Sequence, residues 1–340
     1  MNVKGVLLIN LGTPDNFNPP AVKRYLREFL NDTRVVDISA AFRWLLVNLI
    51  IIPSRYKKSA LAYEKIWQAG DSPLRINMQK LTLALSQQLG ENYQVEFGMR
   101  YGNPSIKTAL EKLSACNSIV VLPLFPQYTS AASGSAIEKV LSLLQSKWNM
   151  PALNILRDFY QDTGFINAYA QVIRDSLANQ SVDMVLFSYH GLPERQINKS
   201  GCRSVCDRVH ACPEISNAND YCYRAQCFAT TRKIVDLLGL TSEKYAVAFQ
   251  SRLGRTPWIK PYTDLLLAEF INKGIKNLAI VCPSFTADCL ETLEEVNIRA
   301  REQWQALGGQ HFTFIPCLND SPPWVNALQK MIEQPVVPHA

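Results

Sequence analysis

The sequence predicts an α/β protein built from two similar doubly wound domains, each with a parallel sheet. Short apolar, β-branched runs alternate with helix-length amphipathic stretches along the whole chain, which is the pattern of βαβ units. The runs form two sets of similar length, and 340 residues exceed one ordinary hydrophobic core. A hydrophobic content of 47% with 19% charged residues is typical of a folded globular protein.

The strands are predicted from continuous apolar runs, which indicate burial on both faces of a parallel sheet. The first-half strands are residues 3–10, 94–100 and 118–124, and the second-half strands are 184–189, 245–250, 277–282 and 311–316. The helices predicted between and after them are 21–30, 60–68, 105–114, 135–144, 165–178, 225–238, 290–306 and 324–332. We therefore expect domains at 1–155 and 156–322, followed by a C-terminal helix and tail at 323–340.

Composition narrows the function classes. The formal charge of +6 is mild, and basic residues cluster only at Arg55, Lys57 and Lys58, so we expect no nucleic-acid partner. No run reaches the roughly 18–20 apolar residues of a membrane span. The first residues lead straight into a strand without a secretory signal, so we expect a cytoplasmic protein. Nine cysteines in such a protein indicate metal or thiol chemistry rather than disulfides.

A histidine stands at the end of the strand predicted at 184–189. His190 is followed by Gly191, Leu192 and Pro193, which predicts a stiff turn. In doubly wound folds, ligands bind in the crevice at the carboxyl ends of the strands. Because imidazole titrates near neutral pH, His190 suits proton abstraction or metal coordination. The alternative is a histidine hydrogen-bonded inside the core.

Three carboxylates follow the strand predicted at 277–282. Asp288, Glu291 and Glu295 are spaced i, i+3 and i+7, which predicts one face of a starting α-helix. Such a face could bind a cation or pass protons. The alternative is a solvated first turn, since acidic residues also suit the helix dipole.

Five of the nine cysteines lie between Cys202 and Cys227, in an insert at about 200–227 that is rich in polar residues. Such a loop buries little apolar surface, so clustered thiols there predict a metal cross-link rather than isolated core cysteines. The spacing C-x3-C-x5-C-x9-C-x4-C fits neither a zinc knuckle nor a standard ferredoxin run. Zinc and iron–sulfur both remain open on spacing alone.

Six motifs in a fixed order identify a family. They are residues 8–14 (LINLGTP), 122–128 (LPLFPQY), 188–191 (SYHG), 249–254 (FQSRLG), 257–258 (PW) and 291–293 (ETL). From about residue 3 to about 320 the chain resembles the ferrochelatases, which insert Fe²⁺ into protoporphyrin IX in the last step of haem synthesis. The resemblance implies a chelatase-like fold and a slot that grips and bends the porphyrin ring.

The resemblance also implies residue roles. His190 takes a pyrrole proton or helps to hold iron, and Glu291 faces it across the cleft. Asp288 and Glu295 continue an acidic path for metal or protons. The residues that match the porphyrin pocket are Leu11, Tyr63, Arg100, Tyr101 and Trp258, with Arg55 on its lip. Many relatives have histidine where this chain has Cys289, which leaves position 289 without an expected role.

Two accessory features follow from the same resemblance. Bacterial members with an internal insert indicate a [2Fe–2S] cluster bound by Cys202, Cys206, Cys212 and Cys222, with zinc as the alternative. The apolar segment at about 38–53 suits a pocket lip that rests peripherally on the inner face of the membrane, and the alternative is a buried helix.

Other functions remain open at this point. The same fold also suits a coproporphyrin chelatase or a cobalt or nickel tetrapyrrole chelatase. A non-catalytic haem or iron–sulfur sensor would keep the fold and respond through the insert. The sequence does not indicate the oligomeric state, the role of the cluster or the iron donor.

Overall fold

The computed structural model describes residues 3–202, 205–206, 211–252, 254 and 256–334. Parts of the predicted insert (203–204 and 207–210), one position of the motif at 249–254 (Leu253) and the end of the predicted tail (335–340) lie outside the described residues. The chain divides into two compact units. Unit 1 is Met1–Phe125, Thr129–Asp158 and Asn319–Ala340, and unit 2 is Pro126–Tyr128 and Phe159–Leu318.

Unit 1 is built on a four-stranded, fully parallel sheet of order β2-β1-β3-β4. Its strands are β1 (Lys4–Thr13), β2 (Tyr93–Gly102), β3 (Ser118–Pro123) and β4 (Ala152–Ile155). Its α-helices are α1 (Pro19–Leu30), α2 (Ala40–Leu45), α3 (Ile52–Ile66), α4 (Pro73–Leu89), α5 (Ile106–Lys112), α6 (Ser135–Leu144) and α12 (Pro322–Glu333). Two π-helices, Leu46–Ile51 and Ser130–Gly134, and a 3₁₀-helix, Leu113–Ala115, complete it.

Unit 2 repeats this topology with the order β6-β5-β7-β8, again fully parallel. Its strands are β5 (Met184–His190), β6 (Tyr245–Gln250), β7 (Asn277–Val281) and β8 (His311–Phe314). Its α-helices are α7 (Thr163–Leu177), α8 (Glu194–Ile197), α9 (Tyr223–Leu238), α10 (Thr263–Asn272) and α11 (Arg301–Ala306). A 3₁₀-helix spans Asn198–Ser200 and a π-helix spans Glu291–Ala300. The predicted α/β class with parallel sheets is confirmed.

The core of each unit lies between its sheet and the flanking helices. In unit 1 the sheet residues Leu7 and Val121 pack with Leu110 and Val140 from the helices. In unit 2 Leu186 and Ile280 pack with Leu267 and Trp304 in the same way. Burial on both faces is why these strands read as continuous apolar runs.

The strand order positions the functional region of each unit. In each sheet the second strand along the chain lies on one side of the first strand, and the third and fourth strands lie on its other side. The reversal falls between β1 and β3 in unit 1 and between β5 and β7 in unit 2. Ligands of doubly wound sheets bind beside such a switch point, at the carboxyl ends of the strands.

Local sequence signals explain several helix starts. Asn18, Ser72, Ser105 and Asp162 accept hydrogen bonds from backbone N–H groups in the first turns of α1, α4, α5 and α7. The helices named from the sequence do not include α2, α4, α8 or α10, and the short β4 was also missed. The C-terminal helix α12 packs against α4. Within the described ranges, no helix is both long enough and apolar enough to span a bilayer.

Candidate active site

His190 is the last residue of β5, beside the switch point of unit 2. Two side chains from elsewhere in unit 2 hydrogen-bond its backbone N–H and carbonyl groups. Its backbone N–H donates to Ser284 Oγ at 3.1 Å, and its carbonyl accepts from Tyr223 Oη at 2.8 Å. Ser284 follows β7 and Tyr223 begins α9, so the histidine backbone is fixed from both directions.

The ring of His190 contacts two neighbouring residues. Its Nδ1 lies 2.6 Å from the carbonyl oxygen of Gly191, and its ring lies edge-on to Phe285. A carbonyl can only accept, so Nδ1 carries a proton; in the neutral imidazole the lone pair is then on Nε2. The structure therefore presents His190 Nε2 as a proton acceptor or a metal ligand.

The carboxylates after β7 are arranged differently from the prediction. The expected α-helical face is wrong, because residues Glu291–Ala300 form a π-helix and Asp288 precedes it. A π-helix closes its hydrogen bonds from i to i+5, so Glu291 and Glu295 lie about one turn apart. His190 and Glu291 both act on the pKa of Glu295, so the structure groups all three ionisable side chains in unit 2.

Glu295 is held by Ser251, just after β6. The Ser251 N–H donates to Oε1 at 2.8 Å and its hydroxyl to Oε2 at 2.5 Å. Burial raises the pKa of Glu295, and the repulsion of Glu291 adds to this, while Ser251, Arg299 and His190 lower it; the net shift is upward. Glu295 therefore keeps its proton to a higher pH than a free glutamate.

The side chain of Asp288 accepts hydrogen bonds that stabilise the local fold. Its side chain is buried, and Oδ1 accepts from the Thr292 hydroxyl at 3.0 Å and the Cys317 N–H at 3.3 Å. These bonds tie the loop before the π-helix to the segment after β8. Cys289, also buried, hydrogen-bonds Glu291, and burial raises the pKa of its thiol well above the usual value.

Trp258 packs directly beside the histidine turn. Pro193 and Trp258 form an isolated antiparallel bridge. At Gly191 a methyl group would lie 3.2 Å from Trp258 Cε3 and 2.7 Å from the carbonyl oxygen of Gln250. Glycine at position 191 is what allows the half-buried indole to lie against the backbone next to His190.

The predicted pocket residues of unit 1 lie around the carboxyl ends of β1 and β2. Leu11 is half-buried in β1, and Tyr63 of α3 is buried with its ring edge-on to Tyr25. Tyr101 is fully buried. Its hydroxyl donates to Asp32 Oδ2 at 2.9 Å.

Arg100 is also held by Asp32. Its Nη2 lies 2.5 Å from Asp32 Oδ2, its Nε donates to Ser135 Oγ at 2.7 Å, and its guanidinium lies 4.5 Å from the centre of the Tyr101 ring. Burial by itself raises the pKa of Asp32, but the bonds from Ser135, Arg34 and Tyr101 and the charge of Arg100 lower it overall. Tyr101 and Arg100 thus belong to one ionic network in unit 1.

The apolar segment at 38–53 combines exposed and buried side chains. Val47 and Ile52 are fully buried and pack with Leu30. Five large apolar side chains are instead between 48% and 71% exposed: Phe42, Trp44, Leu45, Leu49 and Ile50. Arg55 follows on α3 and is exposed. The structure therefore favours the surface interpretation of this segment over a buried helix.

The four predicted cluster cysteines line one pocket in unit 2. Cys202, Cys206, Cys212 and Cys222 share it with side chains that include Arg224. Arg224 is buried, and its Nη1 donates to Cys212 Sγ at 3.0 Å. Burial, together with its neighbours Cys222 and Cys206, raises the pKa of Cys202 to about 12.

The donor set of this pocket fits a soft metal or an iron–sulfur group. Buried thiols grouped beside a guanidinium are unusual unless their sulfurs share a cation. Over the described ranges, however, no three or more His, Cys, Asp or Glu side chains are arranged to hold one metal ion. Zinc needs four ligands on one ion, whereas each iron of a [2Fe–2S] cluster needs only two from the protein.

Sequence reasoning missed several residues of this region. Ser251 lay inside a recognised motif but had no assigned role, and Tyr223, Ser284 and Arg224 were not singled out. Ser251 and Glu295 are 44 residues apart, and Tyr223 and His190 are 33 apart. The one local signal was position, since Ser251 and Ser284 both follow the end of a strand.

The comparisons with known proteins agree with the motifs. The ferrochelatase family model matches residues 3–336. A Legionella pneumophila (strain Lens) protein called ferrochelatase is 52% identical over 331 residues, which cover 97% of this chain and 99% of that protein. A Coxiella burnetii ferrochelatase is 49% identical and the match covers 98% of this chain and 94% of the relative.

Solved structures support the same fold at much lower identity. SirB from Bacillus subtilis, solved with Fe³⁺, matches with a TM-score of 0.52 at 10% identity over 97% of this chain and 94% of that chain. DR2241 from Deinococcus radiodurans, described as similar in structure to chelatases, matches with a TM-score of 0.51 at 10% identity over 99% of this chain and 56% of its own. At this identity the likeness shows the fold alone.

Proposed function

Because the chain belongs to the ferrochelatase family, we propose that its substrates are Fe²⁺ and protoporphyrin IX and that His190 receives a pyrrole proton. The chain is an enzyme that inserts iron into a porphyrin and serves haem biosynthesis. The observation that carries the residue assignment is the bond between His190 Nδ1 and Gly191 O at 2.6 Å.

Proton removal is the central chemical demand. A free porphyrin carries two N–H protons in the plane that iron must enter, so a base has to receive them. With Nδ1 donating to Gly191, the nitrogen of the neutral His190 ring that can accept a proton is Nε2. The bonds to Ser284 and Tyr223 hold the backbone of His190 in place, so little reorganisation accompanies the transfer.

The carboxylates complete the proposed chemistry. We assign Glu291 to the iron or the displaced proton beside His190, and Glu295 to the next step of the path. Burial raises the pKa of Glu295, so this carboxyl keeps its proton to a higher pH than a free glutamate, which suits a group that takes up and releases protons. Asp288 serves this path by holding the loop before the π-helix, because its Oδ1 already accepts two hydrogen bonds.

The substrate-contact residues keep the roles that the family resemblance implies, and the surroundings of each are described within its own unit. In unit 2 the half-buried indole of Trp258 offers a flat apolar surface beside His190. In unit 1 we assign Leu11 and Tyr63 to apolar contact and Arg55 to a propionate, while Tyr101 positions Arg100 through Asp32. An apolar residue at position 11 and the apolar segment at 38–53 favour protoporphyrin, with two carboxylates, over coproporphyrin, with four.

We further propose that Cys202, Cys206, Cys212 and Cys222 hold a [2Fe–2S] cluster. The pocket that the four thiols share supports this assignment, and zinc on the same ligands is the alternative. Such a cluster can exchange one electron. Arg224, which donates to Cys212 Sγ, would offset the negative charge of the bound thiolates.

The segment at 38–53 is proposed to rest on an anionic membrane surface on the cytoplasmic side. Its exposed aromatic and aliphatic side chains are followed by the exposed cations Arg55, Lys57 and Lys58, the combination that binds anionic lipid interfaces. Both the porphyrin and the haem have a large apolar ring, so a membrane contact would give them a short route.

The decisive experiment measures iron insertion by the purified protein without oxygen. We expect haem formation from Fe²⁺ and protoporphyrin IX, and a loss of about 10²–10⁴-fold in kcat for His190→Ala. His311→Ala is the matched control, because this histidine of unit 2 is exposed at the start of β8. Cobalt insertion into sirohydrochlorin without activity on porphyrin, or full activity of His190→Ala, would refute the assignment.

A further inference from the structure

Three consecutive residues at the start of α9 contact different parts of unit 2. Cys222 lines the cysteine pocket. Tyr223 donates its hydroxyl hydrogen to the carbonyl of His190 at 2.8 Å, and Arg224 donates to Cys212 Sγ at 3.0 Å. A single helical turn therefore joins the proposed cluster ligands to the proposed catalytic base.

The contact with His190 is buried and specific. Tyr223 is 5% exposed, and its hydroxyl also interacts with Ser284 and with the Cys227 thiol. Ser284 in turn accepts the backbone N–H of His190 at 3.1 Å. Both peptide groups of His190 thus depend on one small hydrogen-bonded group around the Tyr223 hydroxyl. A buried carbonyl that loses its donor is destabilised, so a shift of Tyr223 would be felt at His190.

A second connection runs along the other wall of the pocket. Ile259 and Lys260 line the pocket, and the Ile259 N–H donates to the Leu192 carbonyl at 3.0 Å. Arg224 Nε also donates to the carbonyl of Lys260 at 3.3 Å. Leu192 is two residues from His190, so the pocket walls include the segments that present both the histidine and the neighbouring indole.

The start of α9 is held through residues that line the cysteine pocket. The backbone N–H groups of Arg224 and Ala225 hydrogen-bond the sulfur of Cys222, which lies at the N-cap position. A group bound through Cys222 to Cys202 and Cys212 would add to that restraint.

We propose that Tyr223 is a positioning residue that transmits the state of the cysteine pocket to His190. This inference rests on the proposed iron insertion and on the proposed cluster. With the pocket closed by its ligand, the first turn of α9 is fixed and the Tyr223 hydroxyl holds the carbonyl of His190. With the pocket open, that turn loosens, the bond is lost and the imidazole leaves its catalytic orientation. The pocket thereby regulates activity without touching substrate.

The first test removes the Tyr223 hydroxyl alone. We expect Tyr223→Phe to keep the cluster absorbance, to lower kcat about tenfold, and to leave the KM for porphyrin within about twofold. The matched control is Tyr189→Phe, since the buried Tyr189 hydroxyl bonds Thr231 of the same helix at 2.8 Å without contacting the His190 peptide. Equal losses in both variants would mean general packing of α9 and would overturn the proposal.

The second test asks whether the two features act as one unit. Cys206→Ser should lower kcat in the wild-type background but by less than about twofold in Tyr223→Phe, because the bond it acts through is already gone. Losses that multiply would show independent effects and would contradict the coupling. If Cys206→Ser does not fold, reversible reduction of the intact holoprotein replaces it. Reduction should then lower kcat in the wild-type protein and change it by less than about twofold in Tyr223→Phe.

A third test does not measure activity. The chain has only four histidines, so the imidazole protons of His190 can be followed by NMR. Tyr223→Phe should change the chemical shifts of the His190 imidazole protons, and Tyr189→Phe should change them much less. Unchanged His190 chemical shifts in Tyr223→Phe count against the proposal. Failure of the wild-type protein to insert iron, or a colourless wild-type protein, would instead refute the proposed function or the cluster.

Discussion

Ser251 donates two hydrogen bonds to Glu295: its backbone N–H lies 2.8 Å from Oε1 and its hydroxyl 2.5 Å from Oε2. To do so Ser251 adopts φ of 67°, a left-handed conformation that non-glycine residues rarely take. Strained backbone of this kind persists where neighbouring structure requires it, often at functional sites. The relationship places Glu295 among the residues that unit 2 is built to position.

The raised pKa of Glu295 predicts a pH-dependent gain in stability for Glu295→Gln. Burial raises the pKa above the usual 4.5, so folding disfavours the ionised form. The sign follows: this group costs stability progressively as pH rises from about 4.5 through the folded pKa. We expect Glu295→Gln to raise Tm by about 1–3 °C at pH 8 and to leave it unchanged at pH 4.

Circular dichroism at the two pH values measures this difference. Glu302→Gln is the control, because Glu302 is exposed on α11. A Tm for Glu295→Gln that falls at pH 8 would show that the carboxylate is stabilised rather than strained by its surroundings.

Gly191→Ala should disturb the indole next to His190. The added methyl would lie 2.7 Å from Gln250 O and 3.2 Å from Trp258 Cε3, and the backbone carbonyl cannot give way as a flexible side chain would. We expect a destabilisation of about 1–3 kcal/mol and a drop in kcat/KM of about tenfold or more. Steady-state kinetics and tryptophan fluorescence provide the readouts, and wild-type kinetics in Gly191→Ala would exclude the close packing.

Asp32→Asn should destabilise unit 1 strongly. Asp32 is the acceptor for Arg100, Tyr101 and Ser135, and its side chain is only 6% exposed. Loss of the charge leaves Arg100 without its ionic partner, so we expect a cost of about 3 kcal/mol in urea denaturation. Because the pKa of Asp32 is lowered, its contribution is present above about pH 4 and is lost as pH falls through the folded pKa.

The control for this variant is an exposed ion pair of the same unit. Lys107 and Glu111 lie 3.9 Å apart with side chains 68% and 62% exposed. Glu111→Gln should change stability by less than about 1 kcal/mol. Similar small effects from both variants would show that the Asp32 network does not stabilise the fold.

The exposed apolar segment predicts binding to anionic vesicles. Replacing Trp44 and Leu49 with glutamine removes two exposed apolar side chains, each worth about 1.5–3 kcal/mol when fully buried. We expect at least a tenfold weaker partition into phosphatidylglycerol vesicles in a sedimentation assay. Trp148→Gln is the control, since Trp148 is 98% exposed elsewhere in unit 1. Equal losses in the two proteins would refute a membrane role for this segment.

The cysteine pocket predicts a coloured protein. Absorption from thiolate-bound iron should appear in the visible spectrum of the anaerobically purified chain and disappear in Cys212→Ser. Cys116→Ser should retain it, because Cys116 is buried in the hydrophobic core of unit 1. A colourless protein that contains one zinc ion would overturn the cluster in favour of a zinc site.

Much of the fold followed from local pattern. The strand predicted at 245–250 and the helix predicted at 135–144 match the structure residue for residue. The weakest signals were missed: β4 has four partly exposed residues, and α4 mixes polar with apolar residues around its circumference. The π-helix at Glu291–Ala300 could not be predicted, because i-to-i+5 bonding leaves no distinct period in so short a segment.

The sequence by itself singled out His190, Glu291 and Glu295 as candidates, because strand ends and residue types are local properties of the chain. Only the tertiary structure decided which atoms contact them: Gly191 O accepts from Nδ1 of His190, Ser251 hydrogen-bonds Glu295, and Tyr223 holds the histidine backbone. The last two pairs lie 44 and 33 residues apart, so their contacts exist only after parallel strands bring their carboxyl ends together. Hydrogen bonds form only between atoms a few ångströms apart, and the order of residues in the sequence does not tell which distant residues come that close.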